Sequence, residues 1–164
     1  MINETINKKL NEQLNREMYS ANLYLAMSAY FDDKHLPGFA KWMRIQYQEE
    51  TNHALKIYDF ILSRDGTVKL TAVSEPPSDW ANPIAVFEAV LAHEEQVTAQ
   101  INDVFGAAKE AHDYATEIFL QWFVTEQIEE EESARKIVNR LKIVNGEGQG
   151  LLTLDAQAGE RAEA

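Results

Sequence analysis

The sequence contains no cysteine. That excludes disulfides, thiolate nucleophiles, zinc ribbons and Cys-ligated iron–sulfur clusters. Proline (4) and glycine (7) are scarce, so few positions would interrupt a helix. No run is long and apolar enough to span a membrane, and the opening Met1 to Leu10 lacks the apolar core of a signal peptide. The expectation is a cytoplasmic protein with no membrane partner. Basic residues are the minority, 15 Lys and Arg against 27 Asp and Glu, for a formal net charge of −12. Such a surface repels nucleic-acid phosphates and attracts cations, so no nucleic-acid partner is expected. Solubility alone is the plainer reason for that charge.

What is present favours helix. The 164 residues, 45% of them hydrophobic, suit a single domain over 1–164 with a sizeable core. Four segments carry helical periodicity. The first runs from about Asn3 to Asp33, with an inward stripe of Ile6, Leu10, Leu14 (or Gln13), Glu17, Ala21, Tyr24, Ser28 and Phe31. The second follows a turn placed at Pro37-Gly38 and reaches about Arg64, with Phe39, Met43, Gln46, Glu50, His53, Ile57 and Phe60 inward. The third starts near Pro83, a favourable first-turn residue. It runs to about Lys109, with Phe87, Leu91, Glu94, Val97 and Ile101 inward. The fourth spans about Asp113 to Val144, with Phe123, Gln127, Glu130, Ala134 and Leu141 inward.

The joins within each pair are short, which makes antiparallel neighbours. The join from Asp65 to Asn82 is long and holds Asp-Gly, Pro-Pro and Asn-Pro. Two hairpins linked by one long crossover form an all-α four-helix bundle over about 3–144. A stop in the glycine-rich stretch after Val144 leaves a short fifth segment and tail over 145–164. Although Gly146 to Gly150 is glycine-rich, it follows a helix rather than a strand, so a dinucleotide loop is discounted.

The chemistry lies in what interrupts the apolar stripes. Glu17, Glu50, Glu94 and Glu130 each fall near the middle of a different helix. His53 is one turn from Glu50, and Gln127 one turn from Glu130, so each pair shares a side. A lone Glu on a stripe is usually a misjudged boundary residue, and a lone His is usually structural. Four carboxylates in register are harder to dismiss. Burial penalises an unpaired carboxylate by several kcal/mol, and no Lys or Arg lies on these stripes to compensate. Multivalent cations would serve all four at once. Oxygen-rich ligation with one imidazole suits iron or manganese, and zinc less specifically. One Glu from each of two helices plus i, i+3 pairs from the others is the di-iron carboxylate pattern. Glu49, Glu126 and Glu129 flank this set as a candidate further cation site, or as a solvated helix face. Tyr24, two turns from Glu17, is a core aromatic in the plain reading and an electron donor in the sharper one. Trp42 and Trp122 are assigned to the core. Glu110, His112, Asp113 and Glu117 read as a solvated turn, with a pore lining as the sharper alternative.

Over nearly its whole length the sequence resembles the bacterial-type non-haem ferritins. The resemblance is carried by Asn11 to Ala21 (NEQLNREMYSA), Gln48 to Ala54 (QEETNHA), His93-Glu94, and Gln121 to Glu131 (QWFVTEQIEEE). It implies a ferritin-like bundle that assembles as a shell of twenty-four subunits. Such a shell oxidises Fe(II) with dioxygen or hydrogen peroxide and stores a ferric oxyhydroxide mineral. Carried over by position, Glu17, Glu50 and His53 would hold the first iron. Glu50, Glu94 and Glu130 would hold the second, with Gln127 close by. Glu49, Glu126, Glu129 and Glu130 match a third iron site, and Tyr24 matches the tyrosine beside the centre. Where bacterioferritins and rubrerythrins carry a second Glu-x-x-His, this chain reads Gln127-Ile128-Glu129-Glu130. Asn52 stands where bacterioferritin has its haem-ligating Met, so no haem is expected. Two other readings remain: a metal-buffering or structural helical protein without redox turnover, and a small di-iron oxidase acting on an organic substrate.

Overall fold

The computed structural model describes residues 2–162. Five helices follow in order: α1 (Glu4–Asp33), α2 (Pro37–Ser63), α3 (Pro83–Glu110), α4 (Tyr114–Ile143) and α5 (Gly148–Gly159). Among the described residues there is no strand, and no helix is long and apolar enough to cross a membrane. α1 packs along α2 and α3 along α4, α1 also meets α3, and α5 lies against α2. The short fifth segment of the sequence reading is therefore the helix α5.

The first four helices stop in the same way. His35, Asp65, His112 and Asn145 each take a left-handed conformation, with φ between 53° and 59°. In each case the following N–H reaches back to a carbonyl of the last turn: Leu36 to Phe31 (2.9 Å), Gly66 to Ile61 (2.9 Å), Asp113 to Ala108 (2.9 Å) and Gly146 to Leu141 (2.8 Å). This is the Schellman closure, made here on non-glycine residues. It corrects the sequence reading of the first turn. Pro37 and Gly38 lie inside the first turn of α2, and the chain reverses at His35.

Gly38 is required for packing. A Cβ there would fall 1.7 Å from the Asp155 carbonyl oxygen of α5. The contact supplies α2 with the cap that its own sequence lacks. Asn3, Asn82 and Asp113 cap α1, α3 and α4 with their side chains, whereas Leu36 cannot cap α2. Instead the Phe39 N–H donates to Asp155 Oδ1 at 2.8 Å, which places a buried carboxylate at a helix N-terminus. Asp155→Ala is expected to cost about 1–2 kcal/mol, seen as faster amide exchange at Phe39 and along α5. Unchanged exchange would rule out this cap.

The crossover is held by a ladder on α1. Asn7, Asn11 and Asn15, one turn apart, reach across to Thr67, Lys69, Thr71 and Ala72. The Lys69 N–H donates to Asn11 Oδ1 at 2.6 Å, and Asn15 Nδ2 donates to Thr71 Oγ1 at 2.9 Å. Of the crossover's apolar residues, Leu70 is exposed, whereas Val68 and Trp80 are half-buried against the two ends of the core.

Two apolar clusters fill the bundle. One joins Met27, Phe31, Phe39, Met43, Phe87, Val90 and Leu141. The other joins Ile6, Leu10, Ile57, Ile101, Val104 and Phe123. Along each helix the gap between them falls at the inward polar positions, so the bundle has a buried polar layer near its middle.

Candidate metal centre

The inward stripes converge as their spacing requires. Glu17, Glu50, Glu94, Gln127 and Glu130 are all buried, and so is His53. Among the described residues, Glu17, Glu50 and His53 each bring one ligand atom within 4.8 Å of the others. His53 Nδ1 lies 3.4 Å from Glu50 Oε2. Glu94 and Glu130 stand outside that compact group, yet close enough for their charges to act on Glu50.

Three of the four carboxylates accept from a neutral amide or hydroxyl, whereas Glu50 is bonded to Glu17. Gln13 Nε2 donates to Glu17 Oε1 at 2.7 Å. The Tyr24 hydroxyl donates to Glu94 Oε1. Gln127 Nε2 donates to Glu94 Oε2 at 3.1 Å and also lies 3.2 Å from the Glu94 carbonyl oxygen. Gln46 Nε2 donates to Glu130 Oε2 at 2.9 Å. These bonds fix the carboxylate positions without neutralising them. Gln127 touches the cluster through its NH2 group, so its carbonyl oxygen is the atom left for a cation.

The electrostatics follow from this crowding. Burial pushes the Glu50 carboxyl well above the ordinary value, and the charges of Glu94, Glu17 and Glu130 add to it. Burial raises Glu94 to about 7 against the hydrogen bonds from Tyr24 and Gln127. Burial and the charge of Glu94 raise Glu130 to about 8, with Gln46 opposing. Burial lowers His53, so its imidazole is neutral near pH 7. A neutral imidazole beside mutually repelling carboxyls is a donor set suited to a cation.

The flanking residues divide. Glu49 and Glu126 are half-buried, Glu129 is exposed, and the charges of Glu126 and Glu49 both act on His53. A basic group does reach this edge, and it comes from outside the four stripes. Arg161, past the end of α5, donates from Nη2 to both Glu49 oxygens, at 2.7 and 3.0 Å. It also donates from Nη1 to Gln46 Oε1. Nothing in the polar tail marked Arg161 in advance. Gln13 and Gln46 carried a signal that sequence reasoning left unused, since an amide on an apolar stripe one turn before a buried Glu needs a partner.

Two assignments change. Trp42 is buried, but Trp122 is 38% exposed. Its ring meets His53 edge-on at 5.2 Å, and Lys56 Nζ stands 4.2 Å from its centroid. Asp113, read as part of a solvated turn, caps α4 and pairs with Arg64 at 3.0 Å. Burial works to raise its carboxyl, but Arg64 and Thr116 outweigh that and hold it below the usual value. His112 and Glu110 remain exposed at the turn.

A ferritin-like domain model matches residues 7–144. The bacterial non-heme ferritin of Bacteroides fragilis (strain 638R) is 40% identical over 161 residues, covering 98% of this chain and 100% of that protein. That of Campylobacter jejuni is 37% identical over 155 residues, covering 94% of this chain and 93% of that one. The open pore ferritin of the hyperthermophilic archaeon Archaeoglobus fulgidus is 48% identical. It superposes with a TM-score of 0.97 over 99% of this chain and 100% of that one. A closed form of the same ferritin, engineered by site directed mutagenesis, gives 0.98 over 100% of both chains at 48% identity. The family match covers the whole bundle and the fold superposes over nearly the full chain, so the chain belongs to the ferritin family of iron-storage proteins.

Proposed function

We propose that this protein is a ferroxidase that stores iron. The observation that carries the reading is the group of Glu17, Glu50 and His53 within 4.8 Å, in a layer that also buries Glu94, Gln127 and Glu130. Fe(II) is the substrate. Glu17, Glu50 and His53 hold one ion, and Glu50, Glu94 and Glu130 hold a second, with Gln127 alongside. Glu50 is the shared ligand that keeps the two ions adjacent. Two Fe(II) ions then give one electron each to dioxygen, which takes up two protons and leaves as hydrogen peroxide. Peroxide can serve as the oxidant in turn. Tyr24, in the hydrogen bond to Glu94, is the group placed to donate a further electron.

Glu49, Glu126, Glu129 and Glu130 form a third site through which ferric product leaves the pair. The single ferritin-like domain spanning the chain assembles as a cage of twenty-four copies, with the mineral inside. The neighbouring ferritins support assembly of this kind. Membership of the family weighs against a plain metal buffer. A buffer would bind Fe(II) with oxygen uptake at background. Aerobic Fe(II) addition is expected to consume oxygen rapidly and yield a soluble, iron-filled particle. Background oxygen uptake would overturn the redox reading.

A further inference from the structure

Arg161 reaches Glu49 from the tail and is held there by three neighbours on one side of α2. Its guanidinium stands over the Trp42 ring at 4.9 Å from the centroid. Nη1 donates to Gln46, and Nη2 donates to both oxygens of Glu49. Trp42, Gln46 and Glu49 fall one turn apart along the helix, so they make one surface for a planar cation. Because Gln46 Oε1 accepts from Arg161, its NH2 must face the other way, and it donates to Glu130. One arginine thus occupies Glu49 and orients the amide that holds Glu130.

We infer that Arg161 is a displaceable counter-cation for Glu49: it occupies this carboxylate in the metal-free protein, and a cation entering the third site releases it from α2. The inference rests on the third-site reading proposed above. Both Glu49 oxygens are engaged by Arg161, so a metal ion can use them only by competing with it. The Arg161 side chain is 27% exposed, which leaves it a path to water. A multivalent ion served by several carboxylates outcompetes the single charge of one guanidinium at that position. Release would also free Gln46 from Arg161, so filling the third site would loosen the amide at Glu130 on the pair.

The test uses the assembled protein with Zn2+ alone as probe. Phenylglyoxal, small enough to enter a protein shell, labels free guanidinium groups, and mass spectrometry reads Arg161. Labelling of Arg161 is expected to be slow without metal and several-fold faster with Zn2+. Glu129→Gln, which removes a third-site carboxylate and leaves Trp42, Gln46 and Glu49 around Arg161 in place, is expected to abolish the acceleration. In calorimetry, Arg161→Gln is expected to bind the third class of zinc about three- to tenfold tighter. The class at Glu17, Glu50 and His53, which Gln46 does not touch, should keep its affinity. Arg161 labelled freely without metal would overturn the inference. So would a third class of unchanged affinity in Arg161→Gln together with an Arg161 that stays protected in the zinc-loaded parent, although the third site itself would then stand. Absence of a third class from both proteins would refute the third-site reading and the inference with it.

Discussion

Glu50→Ala is expected to slow the initial oxidation of Fe(II) about 100-fold or more. Groups that only orient a metal's ligands are typically worth 10–100-fold in affinity or activity, and Glu50 is read as a ligand to both ions. It is buried, it faces His53 at 3.4 Å, and it feels the charges of Glu17, Glu94 and Glu130. The loss should not be one of folding. Glu50→Gln keeps the shape and removes a carboxyl that burial and three neighbours disfavour as an anion, so its metal-free form should be at least as stable as the parent. Stopped-flow absorbance under air separates the outcomes. A variant that is stable yet slow fits a ligand, and Glu50→Ala oxidising iron at the parental rate contradicts the mechanism.

The metal-free protein is expected to lose stability as the pH rises from about 6.5 to about 8. Glu94 is raised to about 7 and Glu130 to about 8, from an ordinary 4.5, and burial raises Glu50 well above that ordinary value too. The folded chain therefore keeps protons that the unfolded chain has released. Stability from these groups is full below the ordinary carboxyl value and falls as pH climbs through the folded values. His53 and His93, lowered by burial, act in the opposite sense. Their neutral folded forms cost stability below the ordinary histidine value of 6.5. The window above 6.5 thus isolates the carboxylates. One to two protons over that interval correspond to about 2–4 kcal/mol. Denaturation midpoints at fixed protein concentration should fall with pH without metal, and Zn2+ should flatten the dependence by replacing the protons. A flat or rising profile without metal would contradict the buried cluster.

How the sequence disclosed this site depends on which residues sit on a periodic element. Glu17, Glu50, His53, Glu94, Gln127 and Glu130 were legible because each breaks an apolar stripe, and helical geometry carries that break inward. The long crossover was legible from its turn residues, but the Asn7, Asn11 and Asn15 ladder that anchors it was not. An Asn off the inward stripe of a helix has no periodic meaning until the backbone segment it bonds is placed. The cap of α2 was hidden for a similar reason, since Asp155 is more than a hundred residues from the N–H it serves. Arg161 lay furthest from view. Its role comes from where α5 ends against α2, and tertiary contacts of that range leave no mark on local composition. Trp122 was misplaced because its position on α4 lies at the edge of the inward stripe, where one side of the ring packs on His53 and the other faces Lys56.

The pair of iron ions proposed for the buried carboxylate layer can be made visible. Crystals soaked anaerobically in Fe(II) and measured at the iron absorption edge test it most directly. Two anomalous peaks about 3.5–4 Å apart are predicted, one beside Glu17, Glu50 and His53 and one beside Glu50, Glu94 and Glu130. Iron density confined to the surface acids, with none at Glu50, would contradict it.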